Sequence, residues 1–353
     1  MPGKNFNGPS RFYDTVIVGA GPAGASAARE LVKKGMRTII IEKKKLPRYK
    51  ICSGLIQDDA QDIVFEKFGR LPKSVFSAPG FLKGVRFCAA GCAISDLRLQ
   101  KPQVMNVWRS QFDHWLIRQS GVELWEGHRL IGLSQNEKTV HAKIMAPNNG
   151  VFEIESSYLI GADGGKSSTR ALLSPAFEQT VKYSKFVQAY CQGKIDLDPL
   201  YFYMFFDPSL SSFYTWLHIK DEFLVLGVGA YKDQSILKCF QDSTDYLAAN
   251  FGLKIDKIKR RTGCFVSDMP MRGNFYLGEG RILLAGEAAG FMHAFGEGIS
   301  AALSTGYHAG VAIYQAGHAD GQILPLYSDL VKYEQNRTVK SWKLAAELMK
   351  RGK

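Results

Sequence analysis

Three hydrophobic patterns divide the chain. The first is a pair of short unbroken apolar runs, Thr15-Val-Ile-Val18 and Thr38-Ile-Ile-Ile41. Between them lie a glycine turn and an alanine-rich stretch from about Pro22 to Lys34, which Gly35 ends. Runs of this length read as buried strands and the stretch between them as a helix, so this segment predicts one β–α–β unit. The second pattern covers residues 81–100 and 181–230. These are aromatic and β-branched, lack helical periods, and are broken by turn pairs such as Asp207-Pro208 and Lys220-Asp221; they predict antiparallel sheet. In the third, residues 281–285 return to a buried strand and Ile299 to Tyr314 has helical spacing. The segment from Pro325 onward predicts one or two basic helices, and Met1 to Tyr13, rich in Gly, Asn and Pro, a loose leader. No solenoid repeat or low-complexity segment is present.

The turn in the first unit is Gly19-Ala-Gly21-Pro22-Ala23-Gly24, a GxGxxG between strand and helix. Gly19 permits the tight turn, Gly21 lets backbone approach a pyrophosphate, and Gly24 allows close helix–strand packing. The helix N-terminus then offers unpaired N–H groups and partial positive charge to phosphates. Glu42 ends the second strand, with Lys43 beside it, where a carboxylate accepts both ribose hydroxyls of an adenosine and repels a 2′-phosphate. The site is thus expected to hold FAD or NAD, not NADP.

Two further motifs follow in order. Tyr158-Leu-Ile-Gly-Ala162-Asp163-Gly-Gly-Lys-Ser-Ser168-Thr-Arg170 comes after another short strand, and Arg281-Ile-Leu-Leu-Ala-Gly286-Glu287-Ala-Ala-Gly290 precedes Gly296-Glu-Gly298-Ile299. Together with the first motif they resemble the FAD-dependent monooxygenase and geranylgeranyl reductase superfamily, over about Asp14 to Tyr314. The resemblance implies a glutathione-reductase-like α/β fold: a Rossmann FAD-binding domain interrupted by a smaller antiparallel-sheet substrate domain. The boundaries expected are 11–75, 101–175 and 265–315 for the FAD domain, 76–100 and 176–264 for the sheet domain, and 316–353 for a basic helical tail.

By the same resemblance, Ala162 and Asp163 lie where the family links FAD to the access route of the reductant. Gly286 and Glu287 lie where a Gly-Asp pair holds the ribityl chain and pyrophosphate, here with Glu for Asp. Gly298 and Ile299, at a helix start, are expected to aim two N–H groups at the flavin N1–C2=O edge and stabilise the charge of reduced flavin. Pro47-Arg48-Tyr-Lys50-Ile-Cys52-Ser53-Gly54 resembles the "PRxKxCGG" segment of the reductase branch, whose loop approaches the flavin. Val107-Trp-Arg109-Ser-Gln-Phe112-Asp113-His-Trp-Leu116 resembles "RxxFDxxL", whose arginine, here Arg109, pairs with the diphosphate. Leu130 is a weaker candidate for adenine contact.

Ser212-Phe-Tyr214-Thr-Trp216-Leu-His-Ile-Lys220 resembles the reductases' "YxWxFPK" strand, with His218-Ile219 in place of Phe-Pro. Tyr190, Tyr203, Tyr214 and Trp216 are candidates to line an apolar pocket over the flavin ring; an ordinary sheet core is the alternative. The likeness is nearest to the small bacterial CbrA-like oxidoreductases of this family. It implies hydride transfer from reduced flavin to a carbon–carbon double bond of an apolar, prenyl-type substrate, with NAD(P)H binding transiently or a soluble carrier as electron donor. Cys52 is a proton donor or a packing thiol, and His293 a proton donor near the flavin or a loop histidine without chemical role. An aromatic hydroxylase of the same superfamily, or a flavin-binding protein without turnover, are the other readings; the WxWxIP of halogenases is missing.

Composition narrows the partners. Of 353 residues, 46% are hydrophobic and 22% charged, as in ordinary globular proteins, and no run reaches the roughly 18 apolar residues of a spanning helix. The net charge of +12 favours anionic partners, but the bases are scattered without any nucleic-acid motif, so nucleic acid is not expected. The six cysteines (52, 88, 92, 191, 239, 264) form no CxxC pair and offer no zinc or iron–sulfur spacing. With no apolar run at the start to act as a secretory signal, they read as reduced thiols in the cytoplasm. The tail holds seven Lys or Arg against three acids from Pro325 on, with Trp342, Ala345, Leu348 and Met349 at helical spacing. Two readings follow: a helix packed on the protein, or one lying on the anionic inner face of a membrane to reach prenyl substrates.

Overall fold

The run Thr38–Glu42 is a strand buried at every residue, as a strand covered on both faces must be. In the computed structural model, which describes residues 12–89, 95–97, 103–231, 233–317 and 323–351, it belongs to a largely parallel sheet. Five strands run parallel in the order Ile282–Leu284, Val151–Gly161, Phe12–Val18, Thr38–Glu42, Glu123–Glu126. Gly278–Glu279 adds an antiparallel edge, and Val140–Met145 with Arg129–Gln135 extends Val151–Gly161 antiparallel. Tyr13, Val16, Val18, Ile39, Ile41, Leu159 and Ile282 pack into one core cluster.

The predicted helix is Pro22–Lys33, and Gly35, at φ +78°, turns the chain out of it. Its partner is the long helix Ile299–Ala316, and the two approach through glycine and alanine. A Cβ on Gly306 would lie 2.1 Å from the Ala23 carbonyl oxygen, and one on Gly24 would lie 2.0 Å from the Gly19 oxygen. Neither neighbour can yield, since both are backbone. The Gly24 contact sets where the first helix begins, and the Gly306 contact sets how closely the long helix lies against it.

By its contacts the chain divides into two units. The first comprises Met1–Arg48, Asp113–Val181 and Met269–Lys340; the second Tyr49–Phe112, Lys182–Asp268 and Ser341–Lys353. The division departs from the expected boundaries. Residues 49–75 and 101–112 fall in the sheet unit because Leu55–Ile56, Val104–Val107 and Phe76–Leu82 form a three-stranded sheet of their own. Residues 316–340 fall in the first unit, where Tyr327, fully buried, donates its hydroxyl to the Leu284 carbonyl.

The main sheet of the second unit has seven strands, ordered Lys254–Ser267, Tyr183–Lys194, Phe223–Ala230, Tyr214–Lys220, Tyr201–Phe206, Gly84–Ala89, Ser95–Leu97. All neighbours are antiparallel save one: Gly84–Ala89 joins Tyr201–Phe206 in parallel. It arrives from a distant stretch of chain, so no hairpin fixes its direction. The helix Ile236–Phe251, which the sequence reading passed over, covers one sheet face through Cys239, Phe240 and Leu247. Ser235 caps its start and Gly252, in the left-handed region, its end.

The tail forms two helices, Ile323–Leu330 and Lys332–Arg351. Trp342 and Ala345 are buried, and the Trp342 ring meets Phe213 edge-on at 6.4 Å. Of the stripe that a membrane-lying helix needs, Trp342 and Ala345 are thus packed against the protein. The side chains of Leu348 and Met349 lie outside the described residues, as do Cys92 and most of the expected leader. No helix among the described residues is long and apolar enough to cross a membrane.

The tight helix pair makes a measurable demand. Gly306→Ala forces a methyl against backbone and is expected to destabilise the protein by about 1–3 kcal/mol, or more if the helix cannot shift. Thermal unfolding checks it; an unchanged melting temperature would mean that the helices are not held this closely.

Candidate functional site

The glycine turn of the first unit is built to receive an anion. Gly19, at φ +107°, packs so closely that a Cβ would meet the Ala162 carbonyl oxygen at 2.5 Å. Gly21 caps the first helix without a side-chain bond, and no acid stands in the first turn. Of the neighbours around a Gly21 Cβ, the nearest is Arg48 Nη2 at 3.7 Å, so the space beside these amides is open and basic. Glu42, buried at the end of its strand, accepts from Ala20 N and Lys44 N, each at 2.9 Å. A carboxylate has roughly four lone-pair sites, so acceptor capacity remains for ribose hydroxyls.

Arg48 is the residue the sequence reading left out of this set, although its motif was in view. Its guanidinium reaches Asp113 at 3.0 Å, the Ala20 carbonyl at 3.2 Å and Glu42 at 3.4 Å. The two carboxylates hold it against the turn. The aspartate of "RxxFDxxL" thus has a structural purpose: it anchors the arginine of "PRxK". Lys43 is exposed. The Leu130 side chain is buried in the core cluster under the sheet, so packing and not adenine contact occupies it.

The second and third motifs are tied to each other within this unit. Asp163 accepts from Ser167 Oγ at 2.5 Å, Thr169 N at 2.9 Å and Thr169 Oγ1 at 3.2 Å, shaping the loop; burial raises its pKa against the pull of these bonds. Arg170, fully buried, donates to the Ala288 and Gly165 carbonyls at 2.7 and 2.8 Å and pairs with Glu178 at 2.7 Å. Glu287 lies against Gly165, where any Cβ would come within 2.3 Å of its Oε1. The extra methylene of Glu over Asp is accommodated by that glycine. Gly286, in the left-handed region at φ +61°, gives its N–H to Thr305 Oγ1 at 2.9 Å.

The start of the last long helix differs from expectation. Ile299 N and Ser300 N donate to Glu297 Oε1 at 3.1 and 3.0 Å, and Ser300 Oγ to Oε2 at 2.5 Å. The Ile299 amide, expected to face a flavin carbonyl, is already satisfied by a carboxylate. His293 lies between this carboxylate and another: Nδ1 is 3.0 Å from Glu297 and Nε2 2.6 Å from Glu334. Burial alone would lower its pKa, but hydrogen bonds and charges of the two glutamates outweigh that and raise it to about 9. With both nitrogens engaged, His293 is a charged clamp and not a free proton donor.

In the second unit, strand alternation sorts the candidate substrate residues. Tyr190, Gln188 and Phe186 share the face on which Tyr214, Trp216, His218 and Lys220 stand. Tyr203 points the other way, into the core beneath helix Ile236–Phe251, with its hydroxyl bonded to the Asp198 carbonyl. It is removed from the substrate set by register alone. Gly227 and Gly229 on the shared face make room for rings: a Cβ on Gly227 would meet Trp216 Cζ2 at 2.0 Å, and on Gly229 Phe186 Cε1 at 2.3 Å.

Within the same unit, the Lys50–Gly54 loop is tied to this face. His218 Nε2 is 3.2 Å from the Ser53 carbonyl, Tyr49 meets Tyr190 ring to ring at 6.2 Å, and Gly54 N donates to Cys52 Sγ at 3.3 Å. A Cβ on Gly54 would sit 2.8 Å from Lys220 Nζ, which itself donates to the Val107 carbonyl. Lys220 is buried, and burial lowers its pKa to about 7 despite the opposing charges of Cys52 and Asp221. Burial and the neighbouring Lys220 also push His218 well below the usual histidine range, so it is neutral. Lys50 is exposed and Arg109 buried, both in this second unit.

The profile of the FAD binding domain family matches residues 13–198. The chain belongs to that family. FAD is the cofactor, and the protein is an oxidoreductase of the FAD-dependent monooxygenase and reductase superfamily. The protein CbrA of Escherichia coli K12 is 30% identical over 301 residues, 83% of this chain and 82% of that one. A geranylgeranyl bacteriochlorophyll reductase-like protein from Thermoplasma acidophilum has the same fold, with a TM-score of 0.80 at 20% identity over 96% of this chain and 88% of that. The p-nitrophenol 4-monooxygenase PnpA of Pseudomonas putida DLL-E4 matches with a TM-score of 0.68 at 13% identity, over 94% and 88%.

The cradle of the first unit fits FAD on its own geometry: open amides at Gly21, an arginine beside them, and a buried acid with acceptor capacity to spare. Glu42→Arg is therefore expected to weaken FAD about ten- to a hundredfold while leaving FMN nearly unchanged, since a hydrogen bond to a charged group is worth roughly 1.5–3 kcal/mol. Titration of the apoprotein with each flavin checks this; equal losses would put the adenosine end elsewhere.

The clamp gives a second expectation. A histidine raised from about 6.5 to about 9 adds stability that is full below pH 6.5 and is lost as pH rises through 9. Thermal melts from pH 6 to 10 are expected to decline over that window, and less steeply in His293→Gln. Parallel declines would remove the charge from His293.

Proposed function

We propose that this FAD-dependent oxidoreductase is a reductase that saturates a carbon–carbon double bond in an apolar, prenyl-type substrate. The observation that carries the reading is one face of the second unit's sheet, where Tyr190, Tyr214 and Trp216 stand in line with the buried amine of Lys220. Cys52 is near enough to that face to bear on the charge of Tyr190, Tyr214 and Lys220. The first unit would hold the cofactor through the Gly19–Gly24 turn, Glu42 and Arg48. Held there, reduced FAD would supply hydride chemistry toward one alkene carbon. The other carbon needs a proton, and the protein must provide it.

Lys220 suits that task. With a pKa of about 7 it carries a proton at neutral pH, and burial favours losing it. Tyr190 and Tyr214, pushed up by burial, stay neutral and offer flat apolar surface. Electrons would reach the flavin from NAD(P)H bound in passing or from a soluble carrier.

Hydroxylation of an aromatic ring is the second reading. It is favoured by the likeness to p-nitrophenol 4-monooxygenase and by a sheet face that stacks aromatic substrates as readily as prenyl chains. The two readings separate without oxygen. The protein, reduced with dithionite and mixed anaerobically with farnesol, is expected to regain the yellow of oxidised FAD and release a product richer by two hydrogens. The rate is expected to fall as pH rises through about 7, and Lys220→Met to lower it roughly a hundredfold or more and abolish that limb. Turnover only with oxygen, giving a hydroxylated product, would establish the second reading; flavin that never reoxidises with either substrate class would leave a binding protein.

A further inference from the structure

A groove of about 590 Å³ opens on the second unit, and none of the residues lining it belongs to the seven-stranded sheet. Its walls come from the helix Asp58–Phe68, the connection after that helix and the three-stranded sheet. The volume falls within the roughly 300–1,000 Å³ of small-molecule sites. The aromatic wall follows from an irregularity in one strand. Phe76–Leu82 pairs with Val104–Val107 at Phe76 opposite Val107 and at Phe81 opposite Met105. Between those pairs the first strand advances five residues and the second only two. The extra residues bulge out, and Phe76 and Phe81 are drawn together on one face. Their rings lie 5.2 Å apart, and Met105 lines the groove with them.

The helix contributes Phe65. Its buried stripe is Ala60, Gln61, Val64 and Phe68, and Phe65, beside that stripe, lines the groove. Phe65 remains 43% exposed and Phe81 42%, so two phenyl rings of one groove stand in water, as the rings of a binding surface do. Gly69, at φ +90°, turns the chain out of the helix, and two bases follow, Arg70 and Lys73, both lining the groove. Neither side chain makes an ion pair or a hydrogen bond to any described residue, and among the described residues no acid lines the groove. An apolar groove with two uncommitted cations is complementary to an apolar chain that carries a negative charge.

We propose that this groove binds a free amphiphilic anion. One aliphatic chain lies along Phe65, Phe76, Phe81 and Met105, and its acidic head, a carboxylate or a phosphate, is held by Arg70 and Lys73. The ligand is a single molecule from solution and not a membrane. Helix Asp58–Phe68 carries four acids against one lysine. A bilayer of anionic lipid would press its charge on those acids as well as on the two bases, whereas one head group has only the bases to meet. The site is separate from the aromatic sheet face, and it holds whichever alkene or ring the flavin acts on.

The test is calorimetry on the full-length, FAD-loaded protein with probes that share one chain: decanoate, decyl phosphate, decanol and decyltrimethylammonium, each below its micelle concentration. At least one of the two anions is expected to bind about tenfold tighter than decanol, as two exposed ion pairs allow, and the cation more weakly than decanol. Replacing both bases, Arg70→Gln with Lys73→Gln, is expected to bring the anions down to the level of decanol. Phe65→Ser with Phe81→Ser is expected to weaken anions and decanol alike. Arg70, Lys73, Phe65 and Phe81 are all exposed, so neither double variant is expected to lower the melting temperature, and an unchanged melt shows that the loss is not unfolding. Anions that bind no tighter than decanol overturn the proposal. An anion preference that survives the loss of both bases overturns it too, since the anions then sit elsewhere on the protein. Co-sedimentation with vesicles of anionic lipid, abolished by the same loss, would make the groove a membrane contact and overturn the free ligand.

Discussion

The first unit depends on how closely two backbones can approach. The first helix begins where it does because Gly24 lets it descend onto the Gly19 carbonyl, and the last long helix lies beside it because Gly306 reaches the Ala23 carbonyl. Both contacts leave room for a hydrogen and nothing larger. With them in place, the amides after Gly21 and the turn around Gly286 are held by backbone geometry, which no side-chain rotation can undo. Cofactor binding through N–H groups and a carboxylate needs that rigidity, since the donors of a helix end are useful only if they do not move away from the phosphate.

That is also why so much of the cradle was legible. A glycine required by a close approach leaves a mark in the sequence at the position of contact, as Gly19, Gly21 and Gly24 do, and Glu42 marks the end of its strand. What stayed hidden depends on residues far apart in the chain. Arg48 earns its place through Asp113, sixty-five positions on. The clamp on His293 needs Glu334 from the C-terminal helices, forty-one positions away. Neither pairing has a local pattern. The strand Gly84–Ala89 joined in parallel for the same reason, being recruited by the sheet without a turn to announce it. The helix Ile236–Phe251 was legible in principle, since Ser235 and Gly252 bracket an apolar stripe, but the aromatic sheet pattern before it drew the reading past.

The sheet of the second unit separates an apolar core from an aromatic and polar face by parity. Residues 187, 189, 191 and 203, 205 turn toward the covering helix with Leu217, Leu226 and Val228, and make an ordinary core. Their neighbours one step along, 188, 190 and 214, 216, 218, 220, turn the other way and bring phenols, an indole, an imidazole and an amine to a single face. Tyr203 and Tyr214 are equally aromatic and almost equally buried, so composition gives no means of telling them apart. Register does, and register is a tertiary fact.

Two buried bases show how partners decide the outcome of burial. His293 and Lys220 are both removed from water, and desolvation favours the neutral form of each. Around His293, two carboxylates at hydrogen-bond distance overcome that, and the ring stays charged well past neutrality. Lys220 donates to a carbonyl and faces an indole ring at 5.1 Å, contacts that hold an ammonium in place but return less than a carboxylate would. Its pKa therefore falls to about 7. The difference assigns their work. A group locked in one charge state across the working range of pH fixes structure, and His293 does so at the start of a helix, where it also balances the glutamate capping that helix. A group balanced between charge states near neutrality exchanges a proton at little cost, which is the property a proton donor needs. The histidine, the expected acid by residue type, is held in one charge state, and the lysine is the one left near its balance point at neutral pH.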